Sequence, residues 1–181
     1  MEIITTPIEG LLIIKPKVYE DPRGFFFESY NRNRYHEAGI KMDFRQDNFS
    51  SSSYGVVRGL HYQLFPRSQS KLVAAVVGTV WDVAVDMRTN SPTCGQWFGV
   101  ELSAENKLQF LIPQGFAHGF SVLSPYAIFS YKCDDYYAPE YERGVFYNDP
   151  TLNVDWKIPA ENIIVSEKDK QHPLFADADK F

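Results

Sequence analysis

The segment Val56–Gln63 carries the residues best suited to chemistry. It holds the guanidinium of Arg58 and the imidazole of His61, and the ammonium of Lys71 follows at the head of a long apolar run. An unperturbed imidazole has a pKa of about 6.5, so it can accept and return a proton near neutral pH. The residue types are therefore those of proton transfer beside positive charge.

The spacing of these side chains indicates which of them face the same way. Successive residues of a β-strand point to opposite sides, so His61 and Gln63 share a face if this segment is a strand. The Pro-containing segment Leu64–Ser70 separates Lys71 from them, and parity does not place it. A strand that begins with two valines and then turns polar is either an exposed edge or a pocket wall, and we favour the pocket wall.

The four histidines fall into two groups. His36 lies in a charged stretch with helical character, and His172 comes near the chain end, so we expect both at the solvent-exposed surface. His61 and His118 each lie in a glycine-flanked apolar segment. Either one alone would be typical of a core histidine bonded to a backbone carbonyl. Together they favour a cavity lined by polar groups.

Short apolar runs separated by Gly and Pro turns make up most of the chain. Such a pattern predicts many short strands, among them Leu72–Val77 and Val80–Val85. Trp97–Leu102 and Leu108–Ile112 flank a turn and are predicted to form a hairpin-like pair. Asn31–Ala38 is the best helix candidate. We therefore predict an all-β jelly-roll sandwich or barrel, a single domain over residues 1–181 with a few short peripheral helices.

The composition argues against several classes of protein. The formal net charge is −5, which does not favour binding to nucleic acid or to a membrane surface. Cys94 and Cys133 are the only cysteines and form no disulfide framework. The segment Met1–Pro7 lacks the basic and apolar regions of a signal peptide. We therefore expect a cytoplasmic protein with reduced thiols.

A metal site is the first alternative for a pocket in a jelly roll. Metal-binding cupins, which share this fold, often use a His-x-His pair, a carboxylate and a later histidine. Here Gln63 stands two residues after His61, and Lys71 stands where a carboxylate is expected. An amide is a poor ligand, and a nearby cation opposes metal binding. The sequence therefore predicts a pocket without a metal ion or other cofactor.

Six short motifs are spread, in order, over nearly the whole chain. They are DPRGFFFE (Asp21–Glu28), QDN (Gln46–Asn48), RGLHYQ (Arg58–Gln63), PQGFAHGF (Pro113–Phe120), YKC (Tyr131–Cys133) and SEKD (Ser166–Asp169). In this combination the sequence resembles the dTDP-4-dehydrorhamnose 3,5-epimerase family. The resemblance implies a metal-independent cupin jelly roll that forms a homodimer. It also implies conversion of dTDP-4-dehydro-6-deoxy-D-glucose to dTDP-4-dehydro-L-rhamnose in dTDP-L-rhamnose biosynthesis.

The resemblance assigns four catalytic roles. A ketone at carbon 4 of the sugar acidifies the hydrogens on carbons 3 and 5, so inversion needs a base, an acid on the far face and a stabilised enolate. His61 matches the base and Asp169 the carboxylate that orients it. Lys71 matches the enolate-stabilising cation, and Tyr131 the acid, whose phenolate we expect a cation such as Lys71 to stabilise. Considered without the other motifs, Asp169 could simply accept backbone hydrogen bonds after Ser166, and Tyr131 could be a core residue with a satisfied hydroxyl.

The resemblance also implies the contacts that hold the nucleotide sugar. Guanidinium groups suit a pyrophosphate, and Arg23 and Arg58 match that role. Further family positions that line the pocket or contact the ligand are matched by Glu28, Gln46, Asn48, Gln63, His118, Glu142 and Lys168. The thymine is expected to lie against Phe26 or Tyr137, between which the sequence does not choose. Arg23, Phe25 and Glu28 are candidates to act in the partner's pocket.

Three alternatives stay open at this point. Relatives with the same catalytic residues epimerise only carbon 5 or mainly carbon 3 of related dTDP-sugars. A cupin that binds a sugar nucleotide without catalysis would be a different class, but His61, Lys71 and Tyr131 are all present. A ketoisomerase on a similar fold would move the carbonyl instead of inverting a centre.

Overall fold

The structure is a computed structural model that describes residues 1–181, and it consists mainly of short strands. In chain order the strands are β1 (Glu2–Thr5), β2 (Leu12–Lys15), β3 (Val18–Asp21), β4 (Gly24–Phe27), β5 (Gln46–Ser53), β6 (Val57–Gln63), β7 (Lys71–Val77), β8 (Thr79–Asp86), β9 (Trp97–Ser103), β10 (Gln109–Ile112), β11 (Phe116–Val122), β12 (Tyr126–Cys133) and β13 (Glu142–Gly144). Helix α1 spans Arg32–Glu37, and short 3₁₀ helices span Pro139–Tyr141, Ala160–Asn162 and Asp169–Gln171. No helix is both long and apolar enough to cross a membrane.

Two antiparallel sheets contain most of the strands. The six-stranded sheet has the order β1-β2-β10-β7-β12-β5, and the five-stranded sheet has the order β13-β6-β11-β8-β9. Strands β3 and β4 form a separate hairpin. This arrangement confirms the predicted all-β jelly-roll sandwich with short peripheral helices.

The main core joins residues from both sheets. Val73, Phe110 and Phe129 of the six-stranded sheet pack with Val80 and Phe120 of the five-stranded sheet. Burying each of these side chains contributes roughly 1.5–3 kcal/mol, so this interface is the principal source of stability. Its polar end is where the candidate site lies.

The segment after β13 packs on the five-stranded sheet and forms a second core. Leu152 and Trp156 pack there with Val83 and Val85, and the Trp156 indole donates a hydrogen bond of 2.8 Å to the Tyr147 carbonyl. The chain then returns to the start of β6, where an isolated bridge pairs residues 56 and 164. The C-terminal segment is thereby held beside β6, and with it the SEKD motif.

The predicted hairpin between Trp97–Leu102 and Leu108–Ile112 is wrong. Strand β9 pairs with β8 in the five-stranded sheet, whereas β10 pairs with β2 and β7 in the six-stranded sheet. All four residues of β10 are buried, so this strand is enclosed on both faces. Two apolar runs around a turn look the same whether the chain folds back on itself or crosses to the facing sheet.

Strand β6 contains a bulge that re-aims its side chains. His61 pairs with His118 on β11, but Arg58 pairs with Phe120, so three steps on β6 oppose two on β11. The extra residue is Gly59, whose φ of 116° lies in a region that disfavours side chains. A Cβ there would also collide with the β11 backbone at Gly119. The bulge lets Arg58 and His61 face one cavity, although simple alternation would separate them.

Candidate active site

A cavity of about 500 Å³ opens between the two sheets, and it contains all four residues with predicted catalytic roles. His61 comes from β6 in the five-stranded sheet, Lys71 and Tyr131 come from the six-stranded sheet, and Asp169 comes from the C-terminal segment. A second cavity of about 320 Å³ shares His61, Lys71 and Tyr131 with the first. The three side chains therefore border both cavities.

His61 and Asp169 form a closely bonded pair. The distance from His61 Nε2 to Asp169 Oδ1 is 2.7 Å, and the Gly59 backbone N–H donates to Oδ2 at 3.3 Å. Burial would raise the pKa of Asp169, but the imidazoles of His172 and His61 and the Gly59 N–H outweigh it and hold the pKa far below its ordinary range. An ionised Asp169 fixes the proton of neutral His61 on Nε2. The lone pair is then on Nδ1, which no protein group engages.

Lys71 faces this pair from the opposite sheet. It lies at the start of β7, where its backbone pairs with Ile112 and Cys133. Burial lowers the pKa of the Lys71 ammonium, and the nearby Cys133 thiol, Asp82 and Glu142 oppose that shift. Lys71 forms no salt bridge, so no carboxylate competes for its amino group when negative charge develops in the cavity.

Tyr131 also lies on the six-stranded sheet, on the neighbouring strand β12. Burial and the nearby Cys133 raise the pKa of its phenol, so the hydroxyl stays protonated near neutral pH. The cation that most clearly opposes this shift is Arg58. The Gly59 bulge turns Arg58 towards the cavity that Tyr131 and Lys71 also line, and stabilisation of the phenolate by Lys71 stays a prediction.

The predicted ligand-binding residues separate into three groups. Arg58, His118 and Lys168 line the larger cavity. Gln46, Asn48, Gln63 and Glu142 line the smaller one. Arg23 and Glu28 line neither. The side chain of Arg23 is 90% exposed at the β3–β4 turn and pairs with Asp21, while Glu28 pairs with Arg34.

Some of these side chains already have protein partners. The Gln63 amide donates to the Arg67 carbonyl at 2.6 Å and accepts from the Ala138 N–H at 2.8 Å, so it braces the loops around the smaller cavity. Buried His118 holds buried Asp82 through Nε2, at 3.0 and 3.1 Å from its two oxygens. Gln63 and His118 thus shape the walls before any ligand arrives.

An ion pair between Lys168 and Glu142 joins the C-terminal segment to strand β13. Lys168 contacts Glu142 at 2.5 Å, and the Tyr137 hydroxyl donates to the same carboxylate at 2.9 Å. Burial would raise the pKa of Glu142, but Lys168 and Tyr137 lower it overall. Arg58 is bonded more lightly, with Nε donating to Ser52 Oγ at 3.0 Å. These positive groups surround an opening suited to a phosphorylated ligand.

His172 is the site residue that sequence reasoning missed. We predicted it at the exposed surface, but its side chain is only 13% exposed, and its Nε2 lies 3.6 Å from Asp169 Oδ1. Its ring packs edge-on against His61, with centroids 5.4 Å apart. The signal was its position three residues after Asp169, because a 3₁₀ turn brings residues i and i+3 together.

The comparisons with known proteins agree over the whole chain. The family model described as dTDP-4-dehydrorhamnose 3,5-epimerase matches residues 5–177. A dTDP-4-dehydrorhamnose 3,5-epimerase of Shigella flexneri is 53% identical over 100% of this chain and 99% of its own length.

Solved structures of nucleotide-sugar epimerases share this fold. A dTDP-6-deoxy-D-glucose-3,5-epimerase of Legionella pneumophila, in complex with dTDP-4-keto-L-rhamnose, is 55% identical with a TM-score of 0.94 and covers 98% of this chain and 94% of its own. A 3′-monoepimerase of Streptomyces bikiniensis, in complex with dTDP-quinovose, is 32% identical with a TM-score of 0.87. The match covers 94% of this chain and 86% of that protein's chain. The family match and the high identity along the full length show that this chain belongs to the dTDP-4-dehydrorhamnose 3,5-epimerase family.

Proposed function

We propose that this chain is a dTDP-4-dehydrorhamnose 3,5-epimerase, which converts dTDP-4-dehydro-6-deoxy-D-glucose to dTDP-4-dehydro-L-rhamnose in dTDP-L-rhamnose biosynthesis. The observation that carries the proposal is the placement of a base and an acid on facing walls of one cavity. His61 belongs to the five-stranded sheet, and Tyr131 belongs to the six-stranded sheet. Inversion at carbon requires removal of a proton from one face and its return to the other.

The proposed cycle begins at His61. Its Nδ1 accepts the proton from carbon 3 or carbon 5, and the electron pair of the broken C–H bond becomes an enolate centred on the carbon 4 oxygen. Ionised Asp169 stabilises the resulting imidazolium across their 2.7 Å contact. Lys71 faces the enolate oxygen, and preorganised charge of this kind contributes roughly 3–4 kcal/mol to transition-state stability.

Tyr131 completes each inversion. Its hydroxyl donates a proton to the carbon from the side opposite His61, and the enolate collapses to the ketone. The phenolate that remains is stabilised by Arg58, which favours the charged form of Tyr131. The imidazolium then returns its proton to solvent and the phenolate takes one up, so both groups are reset. The proposed cycle uses no cofactor, because the ketone at carbon 4 already acidifies the hydrogens that are removed.

The nucleotide sugar is held by the groups around the two cavities. Arg58 and Lys168 supply positive charge for the pyrophosphate, with His118 in the same cavity wall. Gln46, Asn48 and Glu142 line the smaller cavity and are the proposed polar contacts there. Tyr137 also lines that cavity and is a proposed stacking surface for thymine.

A homodimer supplies the remaining contacts in this proposal. Arg23, Phe25 and Phe26 are exposed on the β3–β4 hairpin and line neither cavity of their own chain. A second copy would bring Arg23, Glu28 and an aromatic ring to the nucleotide. Light scattering should give the mass of a dimer, and Arg23→Ala should weaken dTDP binding. A monomer with full activity would contradict this part of the proposal.

The reaction proposed needs no membrane and no nucleic acid, and we place it in the cytoplasm. A second candidate function is inversion at one carbon only, because the chain also matches a 3′-monoepimerase in fold.

Deuterium exchange separates the two. In deuterated water, substrate and product should gain deuterium at both carbon 3 and carbon 5, whereas exchange at one carbon alone would identify a mono-epimerase. Exchange at neither carbon would leave only a sugar-nucleotide-binding role.

A further inference from the structure

His172 is a buried imidazole that the proposed epimerase reaction does not use. Its Nε2 is shielded from solvent and lies 3.6 Å from Asp169 Oδ1, just beyond hydrogen-bond distance. A buried polar atom of this kind calls for an explanation, since nearly all such atoms are bonded. The ring lies beside Gly144 on β13, where an added Cβ would collide with it, and it packs edge-on against His61.

The atoms around His172 Nε2 have the arrangement of metal ligands. His61 Nε2, Asp169 Oδ1 and His172 Nε2 all lie within 4.8 Å of one another. The carboxylate oxygen is 2.7 Å from the first nitrogen and 3.6 Å from the second. Ligand atoms around a tetrahedral zinc ion, bonded at about 2.0–2.1 Å, are separated by roughly 3.3 Å. The two oxygen–nitrogen distances lie about 0.6 Å below and about 0.3 Å above that spacing.

The donor types and the local charge also suit a metal. Two neutral imidazoles and one carboxylate, with a fourth position open, form a known type of zinc site. The only basic side chains within ion-pair distance of Asp169 are these two histidines. Lys71 forms no ion pair with Asp169, and neighbouring Lys168 is engaged by Glu142. The positive charge of Lys71 opposes a metal ion bound between His61 and residue 63. That repulsion should be weaker for a metal ion bound between His61 and Asp169.

We propose that His61, Asp169 and His172 form an inhibitory site for zinc. The site would be filled reversibly, and it differs from a cupin metal centre because two of its ligands come from the C-terminal segment. A neutral imidazole that binds metal through Nε2 carries its single proton on Nδ1. Nδ1 is the nitrogen that must accept the substrate proton, so zinc would block catalysis without filling the cavity. That consequence rests on the proposed role of His61, whereas zinc binding itself does not.

Direct binding tests the site independently of activity. Zinc alone should bind the metal-free protein at one equivalent in competition with a chromogenic chelator, and cobalt should give the visible absorption of a tetrahedral complex. His172→Ala and the more conservative His172→Asn should each weaken zinc binding at least tenfold. His36→Ala is the matched control, because His36 Nε2 lies 3.4 Å from Asp43 away from the cavity. Its zinc affinity should equal that of the wild type.

The activity measurement then tests inhibition. Zinc should lower kcat of the wild type with little change in KM, a chelator should restore it, and the His172 variants should resist the same zinc concentration. Equal zinc affinity in the wild type and both His172 variants would overturn the site. Binding that depends on His172 but leaves wild-type turnover unchanged would retain the site, and it would refute inhibition through His61. Thermal unfolding of each variant establishes that the comparison is made on folded protein.

Discussion

Asp169→Asn is the substitution that most sharply separates catalysis from folding. The carboxylate accepts from His61 at 2.7 Å through one oxygen and from the Gly59 N–H at 3.3 Å through the other. An amide has only one acceptor oxygen, so its NH₂ must face one of these donors. If the NH₂ faces His61, the imidazole is driven to the tautomer with its proton on Nδ1. If it faces Gly59, a backbone donor is left unpaired.

The size of the effect follows from these contacts. A hydrogen bond to a charged group contributes about 1.5–3 kcal/mol, and each 1.36 kcal/mol is tenfold in rate. Loss of imidazolium stabilisation alone therefore lowers kcat up to about 100-fold. The wrong tautomer lowers it further, as the same substitution does in a hydrolase triad, by about 10⁴. We expect kcat to fall between about 10²-fold and 10⁴-fold, with dTDP affinity nearly unchanged.

Asp149→Asn is the matched control. Asp149 is also buried, and it accepts from the Thr151 and Leu152 N–H groups through Oδ1 and from the Phe175 N–H through Oδ2. Each substitution can leave one backbone N–H facing an amide NH₂, at a cost of about 1–3 kcal/mol of stability. Product formation followed by NMR and thermal unfolding should show similar losses of stability but a loss of kcat only for Asp169→Asn. Turnover of Asp169→Asn within threefold of the wild type would refute the orienting role.

Four further predictions follow from other parts of the structure. Tyr131→Phe should lower epimer formation at least about 100-fold, whereas His61 should still exchange substrate hydrogen for deuterium with retention of configuration. NMR follows both, and an equal loss of exchange and inversion would contradict separate roles for the two residues. Lys71→Ala should lower kcat by about 10²–10³, the enolate-stabilising contribution, and an unchanged kcat in steady-state assays would remove that role. Gly59→Ala should lower the unfolding temperature more than Gly24→Ala, because only the first adds a clash to a positive φ; equal losses would contradict the bulge argument. Burial would raise the pKa of Asp86, but hydrogen bonds that include one from Arg88 lower it to about 2. Roughly 2 kcal/mol of folding stability that is present above pH 3.8 should therefore be lost as the pH falls towards 2, as measured by denaturant titrations. Asp86→Asn should make stability less dependent on pH over this range.

The local sequence was sufficient where neighbouring residues decide the structure. The helix predicted at Asn31–Ala38 is α1, because the Asn31 side chain accepts the backbone N–H groups of Asn33 and Arg34. The strands predicted at Leu72–Val77 and Val80–Val85 are β7 and β8. Alternation also grouped His61 with Gln63, and both line the smaller cavity.

The sequence pattern was insufficient where distant segments decide. Nothing local distinguishes a hairpin from a crossing between sheets, so the partner of β10 was predicted wrongly. Parity could not place Lys71, because its position depends on how the two sheets face each other. Alternation along β6 would place Arg58 and His61 on opposite faces. The bulge at Gly59 places them on the same face, since one extra residue reverses the face of every later side chain. His172 was missed because its burial depends on the C-terminal segment packing against β6.

Deuterium exchange by the His61→Ala variant tests whether His61 is the base of the proposed epimerisation. The protein is incubated with dTDP-4-dehydro-6-deoxy-D-glucose in deuterated water, carbons 3 and 5 are followed by NMR, and dTDP affinity is measured in parallel. We expect exchange at both carbons for the wild type, none at either carbon for the variant, and similar dTDP affinity for the two proteins. A His61→Ala variant that exchanges either position at the wild-type rate would contradict the role of His61 as the base.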